Sequence, residues 1–300
     1  MLTQMLGSIR IINVFSSYPA DFQVLVNTWL TIMISVSIVC FITSEITRNY
    51  SQVDKLWSLL PIVYSWITVA SFHSARLILM ASLVTLWGLR LSYNFYRKRG
   101  YNLIPWKGEE DYRWKIMRDT PALKGRFRFG LFNLLFISFY QNLVILLFSS
   151  PLLLAAINTE KSLSALDISA AILMLLFIVT ESIADNQLFR FHREKRKAIN
   201  GEIQWNEFLK KGFITTGLWS YVRHPNFISE QLIWVSFYLF GVAASGKLLN
   251  LTISGPVLLI LIFAGSTRLT ERISSSKYPG YSTYCSQVSR FIPFRFNRKQ

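Results

Sequence analysis

The 300-residue chain is 52% hydrophobic and 15% aromatic, with only 16% charged residues and a net charge of +16. A soluble domain carries about 25% charged residues, and here the apolar residues come in long runs rather than alternating, which excludes an ordinary water-soluble fold. The surplus Lys and Arg lie between those runs, so the charge points to membrane orientation, anionic headgroups or an anionic cofactor, and not to nucleic acid.

Residues 1–23 are mixed, with Ile11, Ile12, Val14 and Phe15 apolar, and are expected to lie in the membrane interface. They lack a signal-peptide pattern, so the first span should act as an uncleaved anchor. Residues 24–43 form the first expected span. Residues 56–72, containing Pro61, form the second, and 77–96 the third, after a short turn at 73–76. A basic loop, 97–128, leads to a fourth span within 129–157, interrupted by Gln141, Asn142 and Pro151. The fifth is 167–188, followed by a second basic loop over 189–225. The sixth, 226–244, and seventh, 248–265, are joined by a turn at Ser245, Gly246 and Lys247, and 266–300 is a basic tail. The expected fold is therefore an all-α membrane protein of about seven transmembrane helices. It divides into an interfacial segment (1–23), an N-terminal half (24–128) and a C-terminal half (129–300). All but five of the 32 Lys and Arg fall in segments that share one side of a seven-span chain, which would put the C-terminus in the cytosol.

The two cysteines, Cys40 in a span and Cys285 in the tail, imply no disulfide framework, and no metal-ligand spacing exists. No Gly-rich phosphate loop follows a strand. What stands out is polar chemistry at the cytosolic ends of the spans. Arg90, Asn94 and Arg97 share one helix face. Glu181 and Asp185 are four apart, with Gln187 and Arg190 beyond, and Asn226 and Glu230 repeat that spacing. Glu271 lies between Arg268 and Arg272, ahead of Tyr281 and Tyr284. The densest stretch is Tyr221, Val222, Arg223, His224, Pro225 and Asn226, where Pro225 suits the first position of a helix. Arg forks grip phosphates, and carboxylates accept from ribose hydroxyls, so a cavity lined this way suits a ligand with phosphates, sugar and amide groups.

At these residues the chain resembles a known group. Trp219 to Glu230 is similar to the C-terminal half of the steroid 5-alpha-reductase and sterol-reductase superfamily, and the closest branch looks like the family called domain of unknown function 1295. Supporting stretches are Val53-Asp54-Lys55-Leu56-Trp57, Glu110-Asp111-Tyr112-Arg113-Trp114, residues 181–187, and 277–284 followed by Ile292-Pro293. The Arg-His-Pro motif also occurs in membrane methyltransferases of the isoprenylcysteine and phospholipid type, where it helps hold S-adenosylmethionine. The first two supporting stretches favour the reductase-like branch.

The resemblance implies an enzyme that binds NADPH from the cytosol and reduces a conjugated C=C bond in a lipid or steroid-like substrate. It makes the N-terminal half (24–128) the substrate side and the C-terminal half (129–300) the cofactor side. In a eukaryote it implies an endoplasmic-reticulum membrane. Asp185, Asn226 and Glu230 match cofactor-contacting positions and Arg90 matches an Arg near the end of the third span, while Tyr221, Arg223 and His224 fit the sterol-reductase pattern. Steroid reductases use a Glu and a Tyr from the N-terminal half for proton handling. Asp54 falls near that Glu and Trp87 near that Tyr, with Tyr93 displaced, so Asp54 and Tyr93 are the catalytic candidates. The alternatives are a methyltransferase using the same helix ends and a non-catalytic membrane protein.

Overall fold

Hydropathy dictates the main elements. The computed structural model describes residues 17–104 and 106–293, and among them there are helices, turns and one isolated β-bridge. The helices are α1 (Ala20–Thr47), α2 (Gln52–Leu56), α3 (Leu60–Ser71), α4 (Ala75–Arg97), α5 (Tyr112–Arg118), α6 (Arg126–Ala156), α7 (Ala165–Ile199), α8 (Glu207–Lys210), α9 (Pro225–Ser245), α10 (Ser254–Lys277) and α11 (Tyr281–Gln287). Six of the described helices are long and apolar enough to cross a membrane, and α3 is a shorter apolar helix of 12 residues. The membrane reading is visible on the surface of α7. There Ile168, Ile172, Leu176, Val179 and Ile183 are exposed at helical spacing, the arrangement of a lipid-facing stripe.

Several boundaries differ from the sequence expectation, each for a physical reason. The second span does not begin at Leu56: α2 ends there, and Pro61, in the first turn of α3, starts a new helix. The helix of the fifth expected span, α7, runs on to Ile199, so part of the expected basic loop is helical, and Lys195 donates to the Gly212 carbonyl at 2.7 Å. The last long helix begins at Ser254 and continues to Lys277, through residues expected in the tail. The fourth span is interrupted by a π-helical stretch, Asn133–Tyr140, whose Asn133 donates to Glu45 at 3.0 Å. The expected interfacial segment lies outside the described residues as far as residue 16, as does the tail beyond residue 293.

The chain divides into two units. One comprises the residues up to Ile172 together with Ser236–Leu258; the other comprises Leu173–Val235 and Leu259–Gln300. In the first, α1 packs against α3 and α6, and Trp29 stacks on Tyr64 with ring centroids 4.6 Å apart. At Gly255 a Cβ would lie 2.4 Å from the backbone of Phe148, so only a bare Cα permits that close approach. In the second, Phe191, Ala198, Leu209, Ile214 and Trp219 form a small apolar core.

Arg76, expected in the short turn at 73–76, is instead buried in the first turn of α4. It grips Asp167 in a two-pronged pair at 2.8 and 3.0 Å and donates to the carbonyls of Lys161 and Ser162. Asp167 also accepts from the backbone N–H and the hydroxyl of Ser164, both at 2.8 Å. Both charged side chains are essentially sealed from solvent, so deleting one strands the other. Arg76→Leu or Asp167→Leu alone is expected to cost about 3–5 kcal/mol in a detergent unfolding titration, and the double variant to recover part of that loss. Equal, additive losses would show that the two side chains do not depend on each other.

Candidate functional site

Polar chemistry gathers in one cluster within each unit. In the first unit, two stretches about 60 residues apart clasp each other. The Trp114 indole donates to Asp54 Oδ2 at 2.9 Å, Asp111 N–H to Ser51 Oγ at 2.9 Å, and Tyr50 N–H to Glu110 Oε1 at 2.9 Å. Lys55, itself buried, reaches the Lys107 carbonyl at 2.8 Å and Gln52 at 3.2 Å. Asp111 caps α5 and holds the Arg113 guanidinium through both carboxylate oxygens, at 2.9 and 2.7 Å. Asp54 and Asp111 are therefore unequal. Burial, then the neighbouring Asp111 charge, pushes the Asp54 carboxyl up. Burial opposes ionisation of Asp111 as well, but the Arg113 charge and hydrogen bonds outweigh it and hold that carboxyl below its ordinary range. Burial also lowers the Lys55 ammonium.

Tyr93, the other proton-handling candidate, stands apart from this clasp. It is 63% exposed, with the Arg97 guanidinium 5.6 Å above its ring. Asn94 is buried and accepts from Arg97 at 2.9 Å, and Arg90 is partly buried.

In the second unit the Arg-His-Pro turn is fixed from both sides. Gly217, at φ 64°, sits so close to the Gln187 amide that a Cβ would lie 2.4 Å from it, and Gln187 Oε1 accepts from Leu218 N–H at 3.0 Å. Trp219 donates to the Ala184 carbonyl and accepts from the Tyr284 hydroxyl. Burial pushes the phenols of Tyr281 and Tyr284 up, which keeps that hydroxyl a donor. Val222 forms a parallel bridge with Ser289, and Arg223 N–H donates to the Ser289 carbonyl at 2.9 Å.

The side chains complete the turn. Arg223 donates through Nε to Glu271 at 2.8 Å and through a terminal nitrogen to the carbonyls of Cys285 and Val288. His224 Nε2 lies 3.1 Å from the same carboxylate, and Arg290 meets it at 2.6 Å. Pro225 then opens α9 as expected. Asn226 Nδ2 donates to Asp185 at 3.2 Å, and Trp234 donates to Glu230 at 3.1 Å. Glu181, Asp185 and Glu230 are all buried, whereas Tyr221 and Arg190 are exposed.

The structure thus brings Asp185 together with Asn226, and Arg223 and His224 together with Glu271. The sequence reading missed Arg290, Asp111 and Arg113. Arg290 carries no local signature, because its partner is contributed by a distant helix; the Asp111 and Arg113 pairing was legible as a cap two residues before an arginine. Among the described residues, no group of three His, Cys, Asp or Glu is placed to hold a metal ion.

Two outcomes are expected from this geometry. Folded Asp54 keeps its proton to higher pH than the unfolded chain does, so stability falls as pH rises from the unfolded carboxylate range, about 4, through the folded value. Asp111 works in the opposite sense: its contribution is present above the ordinary carboxylate range and is lost as pH falls through its lowered pKa. Asp54→Asn removes only the first effect, so its melting temperature should exceed the parent's at neutral pH, with the gap closing towards pH 4; a lower value at neutral pH would contradict the assignment. Glu271→Gln should speed tryptic cleavage after Arg290 by about tenfold or more, because charge-assisted contacts are lost. Unchanged cleavage would mean that the carboxylate does not hold the tail.

Sequence comparison places these clusters in a family. The profile of a family described as "Protein of unknown function (DUF1295)" matches residues 40–288, which includes both clasped stretches and the Arg-His-Pro turn. A Schizosaccharomyces pombe protein, "Uncharacterized protein C594.04c", is 40% identical over 259 residues, covering 82% of this chain and 73% of that protein. No solved structure matches the chain. The chain is a helical membrane protein of the DUF1295 family.

Proposed function

We propose that this protein is an NADPH-dependent reductase of a C=C bond conjugated to a carbonyl, in a lipid or steroid-like substrate. The observation that carries the reading is the buried set Glu181, Asp185 and Glu230, with the half-buried Asn226 bonded to Asp185, in a unit built from apolar helices. Ionisable groups in such surroundings are costly and mark function by default. The donor set fits the cofactor: carboxylates accept from ribose hydroxyls, the Asn226 amide complements a carboxamide, and the exposed Arg190, Arg268 and Arg272 are suited to phosphates. Gln187, Tyr221, Tyr281 and Tyr284 belong to the same unit and shape or border the turn. Arg223 and His224 serve differently in this reading. They hold the turn to Glu271, and so position Asn226 rather than grip phosphate.

When bound, NADPH supplies the hydride that adds to the β carbon of the conjugated system. The chain's own contribution is to orient that carbon, exclude water and supply the balancing proton at the α carbon through the carbonyl oxygen. Asp54, whose carboxyl burial pushes up, is the candidate for that task. The basic segments would face the cytosol, and in a eukaryote the endoplasmic-reticulum membrane would be the setting.

Purified protein in mild detergent should bind NADPH saturably. Glu230→Gln keeps an acceptor for Trp234 but loses the charge, and should weaken binding tenfold or more, equivalent to about 1.4 kcal/mol. Selective binding of S-adenosylmethionine would overturn the reading in favour of a methyltransferase, and binding of neither would favour a non-catalytic role.

A further inference from the structure

The first unit contains a groove of about 980 Å³ that none of the roles above uses. It opens where α1 ends at Thr47 and α4 ends at Arg97, both helices that are long and apolar enough to cross a membrane. Arg97, Arg99 and Lys107 line it against a single carboxylate, Glu109, which lies 3.8 Å from Arg99. Tyr101 and Trp106 supply aromatic walls. Beside it the chain leaves Leu103 fully exposed and Ile104 and Trp106 substantially exposed. Aqueous surroundings would penalise those three side chains, whereas the headgroup region of a bilayer accepts aromatic and aliphatic groups next to cations.

The loop's shape is fixed in advance. Arg99 is held at φ 63°, an uncommon conformation for a residue with a side chain, and its carbonyl accepts from Glu109 N–H at 3.0 Å. Gly108, at φ 124°, passes so close to Gly100 that a Cβ would lie 2.2 Å from its carbonyl oxygen. Strain of this kind persists where the surroundings over-determine it, and it clusters at ligand sites.

We propose that this groove is a binding site for the phosphate of an anionic phospholipid, with Leu103, Ile104 and Trp106 set at the headgroup boundary. A soluble phosphate would satisfy the same cations but would give the apolar loop no role, and that difference selects the lipid. The site would seat the loop after α4 at a fixed depth in the membrane.

The test is native mass spectrometry of the full-length protein in detergent with equal amounts of phosphatidylserine and phosphatidylcholine. The serine lipid should be retained preferentially. The double variant Arg99→Asn, Lys107→Gln should lose that preference by about fivefold per cation removed. Asn tolerates the left-handed backbone at position 99, and both positions are exposed, so the fold should survive; the melting temperature checks that it has. A second variant, Leu103→Ser with Ile104→Ser, should weaken retention of the serine lipid while leaving inorganic phosphate without effect. Equal retention of the two lipids, unchanged preference in the double variant, or displacement of the serine lipid by millimolar inorganic phosphate or NADPH would overturn the proposal.

Discussion

Glu271 fixes the geometry of the second unit. One nearly buried carboxylate meets Arg223, His224 and Arg290, drawn from a turn and from the chain after α11. Charge-assisted bonds of this length are about twice as strong as neutral ones. The guanidinium groups of Arg223 and Arg290 would otherwise repel each other, so the carboxylate is the condition for bringing them together. Once Arg223 is held, Val222 and Arg223 can pair with Ser289, and Pro225 starts α9 in a set orientation. That start delivers Asn226 to Asp185 and places Glu230 one turn further along, beside Trp234.

The first unit solves a similar problem without a single centre. Its clasp distributes polar contacts over Ser51, Asp54, Lys55, Glu110, Asp111 and Trp114, so that two stretches distant in sequence become one surface. Burial and the neighbouring charge push the Asp54 carboxyl up while Arg113 holds that of Asp111 down, which eases the conflict between two adjacent buried carboxyls. The opposite end of the unit relies on the sealed Arg76 and Asp167 pair. There the pairing offsets a desolvation penalty that each residue would otherwise bear alone.

The spans were legible in the sequence because lipid demands long apolar runs, and the start of α9 was legible because Pro225 suits the first position of a helix. Less legible were the ends that run past the apolar stretch. Residues 266–277 and 189–199 are polar enough to read as loops, yet backbone hydrogen bonding carries the helices through them. The second span was misplaced because its apolar run crosses a turn that Pro61 imposes. Among the site residues, spacing identified the carboxylates and Asn226, since four-residue intervals place them on one helix face. It could not assign Arg223 a partner, because Glu271 and Arg290 reach it only through the fold, and a lone arginine before a helix reads equally well as a phosphate ligand.

The central claim is that the buried acids and Asn226 of the second unit recognise a nicotinamide cofactor. Amide hydrogen exchange of the purified protein, with and without NADPH, tests it most directly because it reports the location of binding as well as its occurrence. The account expects slower exchange over residues 181–190 and 217–231 on addition of NADPH, and no such change with S-adenosylmethionine. Protection produced there by S-adenosylmethionine alone, or NADPH-dependent protection confined to other segments, would contradict it.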